Sequence, residues 1–372
     1  MVYYIVLLLI YFLVSINELA TPIASRKRSV YCFLLLLPMW ALVAFRAETI
    51  GCDTARYAFN YQSAQSINSL AAQMASSGME KGYVLIRALF ILSNLSFYTF
   101  QIAITTYIYI SLHRFFVRYS SNIAMSCLLL LLTMRFFSSM NQTRMWLAIA
   151  TVLFSLPYLL NRKFLKFLLI VAIAFFFHKS ALLFVIMYPL CHLKYNRLLA
   201  AFIILGAVII TYNGVQFFGW FTETTGIYED YIDNIQFSED RSRLAAFLNL
   251  AESVALFVFF LTANAFKQSQ YSDISDSMSI SYGHFQKLSF LLFLGFSVIG
   301  LSNNMMGRVS SYFSIVLLNL IPYSISRVRV DNRLIVYFVV ILLFTIEFAV
   351  KIIYRPYWYD VTPYEWFFMS VK

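Results

Sequence analysis

The sequence predicts an all-α fold, a polytopic transmembrane helical bundle of about twelve spans with polar loops on its extracytoplasmic side. Of the 372 residues, 61% are hydrophobic and only 12% are charged, whereas a soluble domain is about half apolar and about a quarter charged. The mean hydropathy is +0.74. No Pro-, Gly- or Ser-rich linker and no repeat period interrupts the chain, so we expect one domain over residues 1–372.

Windows of about twenty apolar residues locate the spans. The first is expected to be a span and not a signal peptide, because it lacks a basic start and is followed by Arg26-Lys27-Arg28. The stretch 83–112 is too long for one straight span and contains Ser93, Asn94 and Ser96. It is either one span or a short interfacial or re-entrant helix followed by a span, and the sequence does not decide between the two. The windows lie near residues 1–18, 29–45, 83–112, 122–134, 145–160, 165–178, 181–193, 198–212, 244–263, 288–302, 309–325 and 334–351.

The distribution of charge predicts the orientation of the chain in the membrane. With the N-terminus outside, fifteen of the 28 basic residues fall in short cytoplasmic clusters, as the positive-inside rule requires. Both termini and the loops 46–82 and 213–243 are then extracytoplasmic, and eleven of the 17 acidic residues lie outside. Charges of both signs on one face indicate a site. The net charge of +11 is explained by basic loops beside anionic lipid and needs no nucleic acid, and the four cysteines form no evident disulfide framework.

The segment 46–57, RAETIGCDTARY, is the first candidate site. Arg46 and Arg56 offer planar, bidentate donors that suit diphosphate oxygens. Asp53 and Tyr57 would hold a sugar hydroxyl or orient the arginines. The alternative interpretation is a capped loop at the membrane boundary with an internal Arg–Asp pair.

Two further motifs carry candidate bases. Glu80 precedes a helix with Gly82 in its first turn, so it either complements the helix dipole or contacts substrate, while Gly82 allows a close helix approach. His178 and Lys179 lie between two short apolar segments. A histidine at a membrane surface can serve as a base, but a structural, hydrogen-bonding histidine is equally compatible with the pattern.

Several polar residues stand at the predicted outer ends of spans. Arg144 enters a span beside Gln142 and close to Arg135, and Arg308 enters another. An unpaired guanidinium is costly there, so a bound anion is favoured over a snorkelling anchor. Arg243 ends the second outer loop, whose acidic residues are irregularly spaced, which favours a solvated loop over a metal site. Motifs for ATP binding, serine hydrolysis and zinc binding are absent from the sequence.

Taken in chain order, these motifs resemble the EpsG family of exopolysaccharide proteins, which includes Wzy-type O-antigen polymerases. The resemblance spans nearly the whole chain, and its specificity lies in the succession of short motifs. Lys81 departs from the pattern, which has proline there. The matching segments are Arg46…Gly51-Cys52-Asp53-Thr54…Tyr57, Glu80-Lys81-Gly82-Tyr83, Arg135…Gln142-Thr143-Arg144…Ala148, His178-Lys179-Ser180-Ala181 and Gly307-Arg308…Tyr312-Phe313.

The resemblance implies a glycosyltransferase that joins undecaprenyl-diphosphate-linked repeat units at the outer face of the bacterial cytoplasmic (inner) membrane. The chemistry fits, because Arg46, Arg144 and Arg308 could neutralise the diphosphate leaving group without a metal or cofactor. The base that accepts the proton of the acceptor hydroxyl is His178, Asp53 or Glu80, and the sequence does not choose among them. Membrane lipid, the lipid-linked oligosaccharide and a chain-length regulator protein are the candidate partners.

Other membrane functions fit the sequence less well. A flippase or exporter of the same lipid-linked sugar needs a polar path through the membrane, but charge within the spans is limited to Arg87, Glu252 and Glu347. A ligase that moves glycan to another lipid is a third reading. An acyltransferase would use a cytoplasmic thioester donor, which the predicted outer position of His178 disfavours. A structural scaffold leaves the arginines at the span ends unexplained.

Overall fold

The computed structural model describes residues 1–193, 195–225, 239–262, 280–301 and 304–369. Regular structure within these ranges is helical, with a single isolated bridge pair between Arg46 and Trp366. The all-α prediction is therefore confirmed. The acidic residues Glu229, Asp230 and Asp233 lie outside the described residues.

Eighteen α-helices are described. The first nine are α1 (Val2–Ala20), α2 (Arg28–Ala44), α3 (Thr54–Ala64), α4 (Leu70–Ser76), α5 (Lys81–Leu92), α6 (Phe97–Tyr119), α7 (Ile123–Leu132), α8 (Arg135–Asn141) and α9 (Thr143–Leu160). The others are α10 (Phe164–Phe177), α11 (Met187–His192), α12 (Arg197–Tyr212), α13 (Gly214–Thr225), α14 (Glu239–Thr262), α15 (Tyr282–Ile299), α16 (Asn304–Ser314), α17 (Leu317–Ser326) and α18 (Val330–Ala349). Short 3-10 helices lie at Ser25–Lys27, Lys179–Ile186 and Pro356–Trp358, and a π-helix at Val350–Tyr354.

Four of the described helical segments are long and apolar enough to cross a membrane: Val2–Ala20, Ser25–Ala44, Thr143–Leu160 and Val330–Tyr354. Two bent pairs raise the number to six if each pair is one span. One pair is α7 with α8, bent by 60°, and the other joins Arg308–Ser314 to Leu317–Ser326 with a bend of 43°. Further apolar helices are shorter than the roughly twenty residues that cross a bilayer. The count of about twelve spans therefore stays a prediction.

The stretch 83–112 is divided into two helices at the polar residues that interrupt it. Helix α5 ends at Leu92, Asn94 adopts a left-handed φ of +54°, and α6 starts at Phe97. The Ser96 hydroxyl caps α6 by accepting a hydrogen bond from the Thr99 N–H at 3.2 Å. Asparagine tolerates the left-handed conformation and serine is a favoured N-cap, so these side chains explain the break.

The described chain forms two compact units. Unit 1 consists of Met1–Phe154, Ile173–His178 and Ile321–Lys372, and unit 2 of Ser155–Ala172 and Lys179–Leu320. Each is described separately below. The single domain over residues 1–372 stays a prediction.

Unit 1 is built around α7, all of whose residues are buried. This helix is apolar on every side, as expected of a helix enclosed by others, and α1, α2, α6 and α18 pack against it. The Glu18 carboxylate accepts hydrogen bonds at 2.8 Å from the backbone N–H groups of Ile123 and Ala124. Because the first N–H groups of a helix lack intrahelical partners and carry partial positive charge, this carboxylate stabilises the start of α7.

Unit 2 is organised around α15, most of whose side chains are buried. Helices α12, α14 and α16 pack against it. The rings of Phe296 and Phe313 stack with centroids 5.4 Å apart. The Ser180 hydroxyl donates to the Tyr312 hydroxyl oxygen at 3.1 Å, so two of the motifs identified in the sequence meet within this unit.

Candidate functional site

A carboxylate at the start of α5 binds two cationic or ionisable side chains of unit 1. Glu80 directly precedes α5, and its Oε2 accepts a hydrogen bond from Nη1 of Arg144, in the first turn of α9. Its Oε1 lies 2.7 Å from Nδ1 of His178, which follows α10. The exposed fractions are 10% for the Glu80 side chain, 21% for Arg144 and 18% for His178, so all three are partly exposed to solvent. These residues and Tyr57 are called the Glu80 cluster.

The position of Glu80 depends on a close approach between α5 and α10. A Cβ atom added at Gly82 would lie 2.7 Å from the carbonyl oxygen of Phe176 and 2.9 Å from its Cβ. Only glycine therefore permits this backbone contact. Since Phe176 is two residues before His178 and Gly82 two residues after Glu80, the contact brings the imidazole and the carboxylate together. The close approach predicted at Gly82 is confirmed.

The surroundings of Glu80 keep it ionised. Burial raises the pKa of the carboxyl, but the hydrogen bond with His178 and the positive charge of Arg144 outweigh burial and lower the pKa to about 2. An ionised carboxylate only accepts hydrogen bonds, so the Nδ1–H group of His178 is the donor and Oε1 of Glu80 the acceptor. In the neutral form of the imidazole, Nε2 is then the accepting atom. Within the described residues, Nε2 makes no hydrogen bond.

Tyr57 completes the surroundings of Arg144. The Arg144 Nε group lies 3.5 Å from the Tyr57 hydroxyl, and the guanidinium carbon lies 5.9 Å from the centroid of the Tyr57 ring. Burial raises the pKa of the Tyr57 hydroxyl, so it stays protonated at neutral pH. With Nη1 on Glu80 and Nε toward Tyr57, the Arg144 Nη2 group donates to no protein atom within the described ranges.

Arg46 occupies a different environment, the interior of unit 1, where it is 3% exposed. Its Nη1 donates to the Val43 carbonyl, and its Nη2 donates to the Met140 carbonyl at 3.0 Å. The Nε group lies 3.5 Å from the Thr54 hydroxyl. Arg46 therefore connects the end of α2 to α8 and to the start of α3, and its guanidinium faces protein acceptors.

The remaining predicted residues of unit 1 lie around these groups. Asp53 is the N-cap of α3 with its side chain partly exposed, and Arg56 is exposed on the same helix. The Gln142 side chain accepts a hydrogen bond from Ser138 at 3.2 Å, and the partly buried Arg135 starts α8. Their predicted roles as substrate ligands or base stay predictions. The described residues contain no group of three His, Cys, Asp or Glu side chains arranged to hold a metal ion.

Three other predicted ligands belong to unit 2. Lys179 begins a 3-10 helix and Arg308 lies in α16, and both are exposed. Arg243 lies in α14, and its side chain falls outside the described part of the structure. Their predicted contact with substrate stays a prediction.

The sequence analysis did not identify the C-terminal strap, which we define as residues 355–367. The strap follows the π-helix that ends α18 and crosses the 45–52 segment of unit 1. The sequence does contain an indication of this strap. A segment rich in aromatic residues follows the last apolar segment and begins after Pro356. Proline ends a helix, and aromatic side chains favour a partly buried surface. This aromatic segment could therefore have been predicted to pack against the rest of the protein.

The fold and the Glu80 cluster define a helical membrane protein with a carboxylate, a guanidinium and an imidazole joined at one site. A family model described as the EpsG family matches residues 29–366, nearly the whole chain. The chain belongs to the EpsG family, a Wzy-type polymerase family, and the resemblance noted from its motifs is confirmed. At the level of the family it is a membrane polysaccharide polymerase that transfers glycosyl groups. No curated protein and no solved structure matched the chain.

Proposed function

We propose that the chain joins undecaprenyl-diphosphate-linked oligosaccharide repeat units at the extracytoplasmic face of the bacterial inner membrane, with the Glu80 cluster as its catalytic centre. One observation carries the proposal: a single carboxylate is bonded to both a guanidinium and an imidazole, and all three side chains are partly exposed. This set supplies a base and a binder of negative charge at the same place. Glycosyl transfer from a lipid diphosphate requires both.

His178 is the proposed base. Glu80 is held at a pKa of about 2, which makes it a poor proton acceptor, and it orients the imidazole so that Nε2 is the accepting atom. The acceptor hydroxyl oxygen attacks the anomeric carbon of the donor sugar as its proton passes to Nε2. The bond from the anomeric carbon to the diphosphate oxygen breaks, and its electron pair leaves on the lipid diphosphate.

Arg144 is the proposed binder of the leaving group. Its Nη2 group retains donors for a diphosphate oxygen, while Glu80 and Tyr57 hold the guanidinium in a fixed orientation. A donor that is already oriented stabilises the charge that develops on the leaving diphosphate. Arg46 receives a different role in this proposal. Its bonds to backbone carbonyls support a positioning function, in which it fixes α3 and therefore Tyr57.

Reconstitution separates polymerisation from transport. Purified protein in liposomes would be given fluorescent lipid-linked repeat units, and the products would be separated by size. We expect a ladder of products from the wild type and a loss of roughly a hundredfold in rate for His178→Gln. His192→Gln is the matched control, because His192 is exposed and bonds only the Tyr188 carbonyl among the described residues.

Two other results of the reconstitution experiment would change this proposal. If the labelled lipid crosses the bilayer and becomes protected from an added reagent, without any ladder, the protein is a flippase and the proposal is wrong. Equal ladders from the wild type and His178→Gln would leave the polymerase function intact but remove His178 as its base.

A further inference from the structure

The C-terminal strap is attached to unit 1 through its backbone. The Gly51 N–H donates to the Asp360 carbonyl at 2.7 Å, and the Asn141 side-chain amide donates to the Tyr359 carbonyl at 3.0 Å. The Cys52 thiol lies 3.4 Å from the carbonyls of both Tyr357 and Trp358. Carbonyl groups make these contacts at residues 357–360, whereas Tyr364, Glu365 and Trp366 attach the later part of the strap through their side chains.

Two side chains of this part of the strap, Tyr357 and Asp360, are open to solvent. Tyr357 is 44% exposed, and its hydroxyl accepts a hydrogen bond from the exposed Arg355 at 2.7 Å. Asp360 is exposed, at a left-handed φ of +49°. Within the described residues, neither the Asp360 carboxylate nor that of Asp53 makes a hydrogen bond. The Tyr357 ring therefore lies on the same surface as the carboxylates of Asp360 and Asp53, which make no hydrogen bond within the described residues.

The negative charges of Asp360 and Asp53 affect the Cys52 thiol. Burial raises the pKa of the Cys52 thiol to about 11, and the nearby negative charges of Asp360 and Asp53 act in the same direction. The two carboxylates therefore flank one point where the strap crosses the start of α3. The effect on Cys52 agrees with the backbone contacts of the strap, which are the main reason for grouping Asp360 with Asp53.

The strap also adjoins the Glu80 cluster. Asn141, which bonds the strap at Tyr359, is three residues before Arg144. Asp53 is one helical turn before Tyr57 on α3, and the Tyr57 backbone N–H donates to the Asp53 carbonyl at 3.0 Å. The strap contacts at Asn141 and Cys52 are thus three and five residues along the chain from Arg144 and Tyr57, two members of the Glu80 cluster.

We propose that Tyr357, Asp360 and Asp53 form a binding subsite for a sugar residue of the growing or acceptor glycan. The proposal rests on the proposed polymerase function and names part of its substrate recognition. The C–H face of a sugar ring carries weak positive charge and packs on an aromatic face. The sugar hydroxyls donate to ionised carboxylates, which gives strong hydrogen bonds. An oligosaccharide therefore matches both kinds of group on this surface.

Membrane anchoring explains these residues less well. Aromatic anchors at a bilayer boundary continue into apolar surface, and the end of the described chain has this character, with Phe368 and Met369 56% and 65% exposed. The surface around Tyr357 carries Arg355, Asp360 and Asp53, next to the exposed side chains of Ile353 and Tyr354. We therefore assign the anchoring role to Phe368 and the glycan-binding role to Tyr357.

A binding experiment without lipid tests the subsite independently of catalysis. Full-length protein in nanodiscs would be titrated with oligosaccharides of one to three repeat units, released by partial hydrolysis of the polysaccharide of its own host. Binding would be followed by saturation-transfer NMR and by the change in thermal midpoint. We expect Tyr357→Ala and Asp360→Asn each to weaken binding by about tenfold or more. Asparagine is also tolerated at a left-handed position, so Asp360→Asn preserves the backbone.

The controls separate this proposal from the preceding one. Tyr357→Phe keeps the ring and should bind within about threefold of the wild type, Phe368→Ala should bind normally, and Arg144→Lys should bind the oligosaccharide normally but polymerise poorly. Unchanged binding by both Tyr357→Ala and Asp360→Asn, in samples with wild-type thermal midpoints, overturns the subsite. If Tyr357→Ala does not fold, Asp360→Asn and Tyr357→Phe still decide the result. Loss of bilayer insertion by Tyr357→Ala with normal oligosaccharide binding would identify an anchor and also overturn it.

Discussion

Replacing Arg144 with lysine preserves the charge beside Glu80 but removes the forked guanidinium. An ammonium group can keep the contact with the Glu80 carboxylate, whereas the Nε contact with Tyr57 at 3.5 Å and the donors of Nη2 are lost. Removing one oriented donor to a developing anion costs about 3 kcal/mol, or roughly a hundredfold in rate. We therefore expect Arg144→Lys to insert normally and to polymerise about a hundredfold more slowly than the wild type.

The assay compares initial rates of ladder formation at equal amounts of inserted protein. Arg197→Lys is the matched control, because Arg197 is exposed at the start of α12, and it should be silent. An Arg144→Lys rate above about a third of the wild-type rate corresponds to a loss below about 0.7 kcal/mol. That result would refute the assignment of Arg144 to the leaving group and would leave it a charged partner of Glu80.

Four other outcomes follow from the geometry. Gly82→Ala should slow polymerisation on the order of a hundredfold by separating α5 from α10. Gly78→Ala is the control and should have no effect, because a Cβ added at Gly78 meets no atom within 4 Å. Equal rates for the two variants would contradict the positioning role of Gly82. An impermeant maleimide should label Cys52 on intact cells, roughly tenfold faster for each pH unit up to its pKa of about 11, and labelling only after the inner face is exposed would reverse the predicted orientation. Glu80 has its pKa lowered from 4.5 to about 2, so the stability it adds is present above about pH 4.5 and is lost as pH falls toward about 2. The thermal midpoint of the wild type should exceed that of Glu80→Gln above about pH 5, and the two should converge in acid. A chelator should leave polymer formation unchanged, and restoration by Mg²⁺ of activity lost in the chelator would show a metal requirement.

The sequence predicted the helical class and the family because both depend on many residues. Apolar composition and the order of short motifs survive local errors, and the break at Asn94 falls where polar residues interrupt a long apolar stretch. The number of spans is harder to predict, because an apolar window of limited length can be a crossing helix, a bent pair or a short buried helix. Helix α7 shows this difficulty, since it is wholly apolar but only ten residues long and bends by 60° into α8.

The Glu80 cluster shows a second limit of prediction from sequence. Arg46 and Arg144 occupy similar contexts in the sequence, each at the end of an apolar segment, yet one is enclosed by carbonyl groups and the other meets a partly exposed carboxylate. Sequence proposed Glu80 and His178 as alternative bases, and their hydrogen bond turns them into a pair with different roles. That pairing depends on the contact at Gly82, which joins segments almost a hundred residues apart, and spacing along the chain carries no information on it.

The stoichiometry of the reconstituted reaction tests the central claim most directly. Purified protein in liposomes would be given a defined lipid-linked repeat unit, and released undecaprenyl diphosphate would be counted together with new glycosidic linkages. We expect one diphosphate for each new linkage in the wild type, with both quantities falling together in His178→Gln and Arg144→Lys. Linkages formed without release of diphosphate, or release unaffected by either substitution, would contradict glycosyl transfer at the Glu80 cluster.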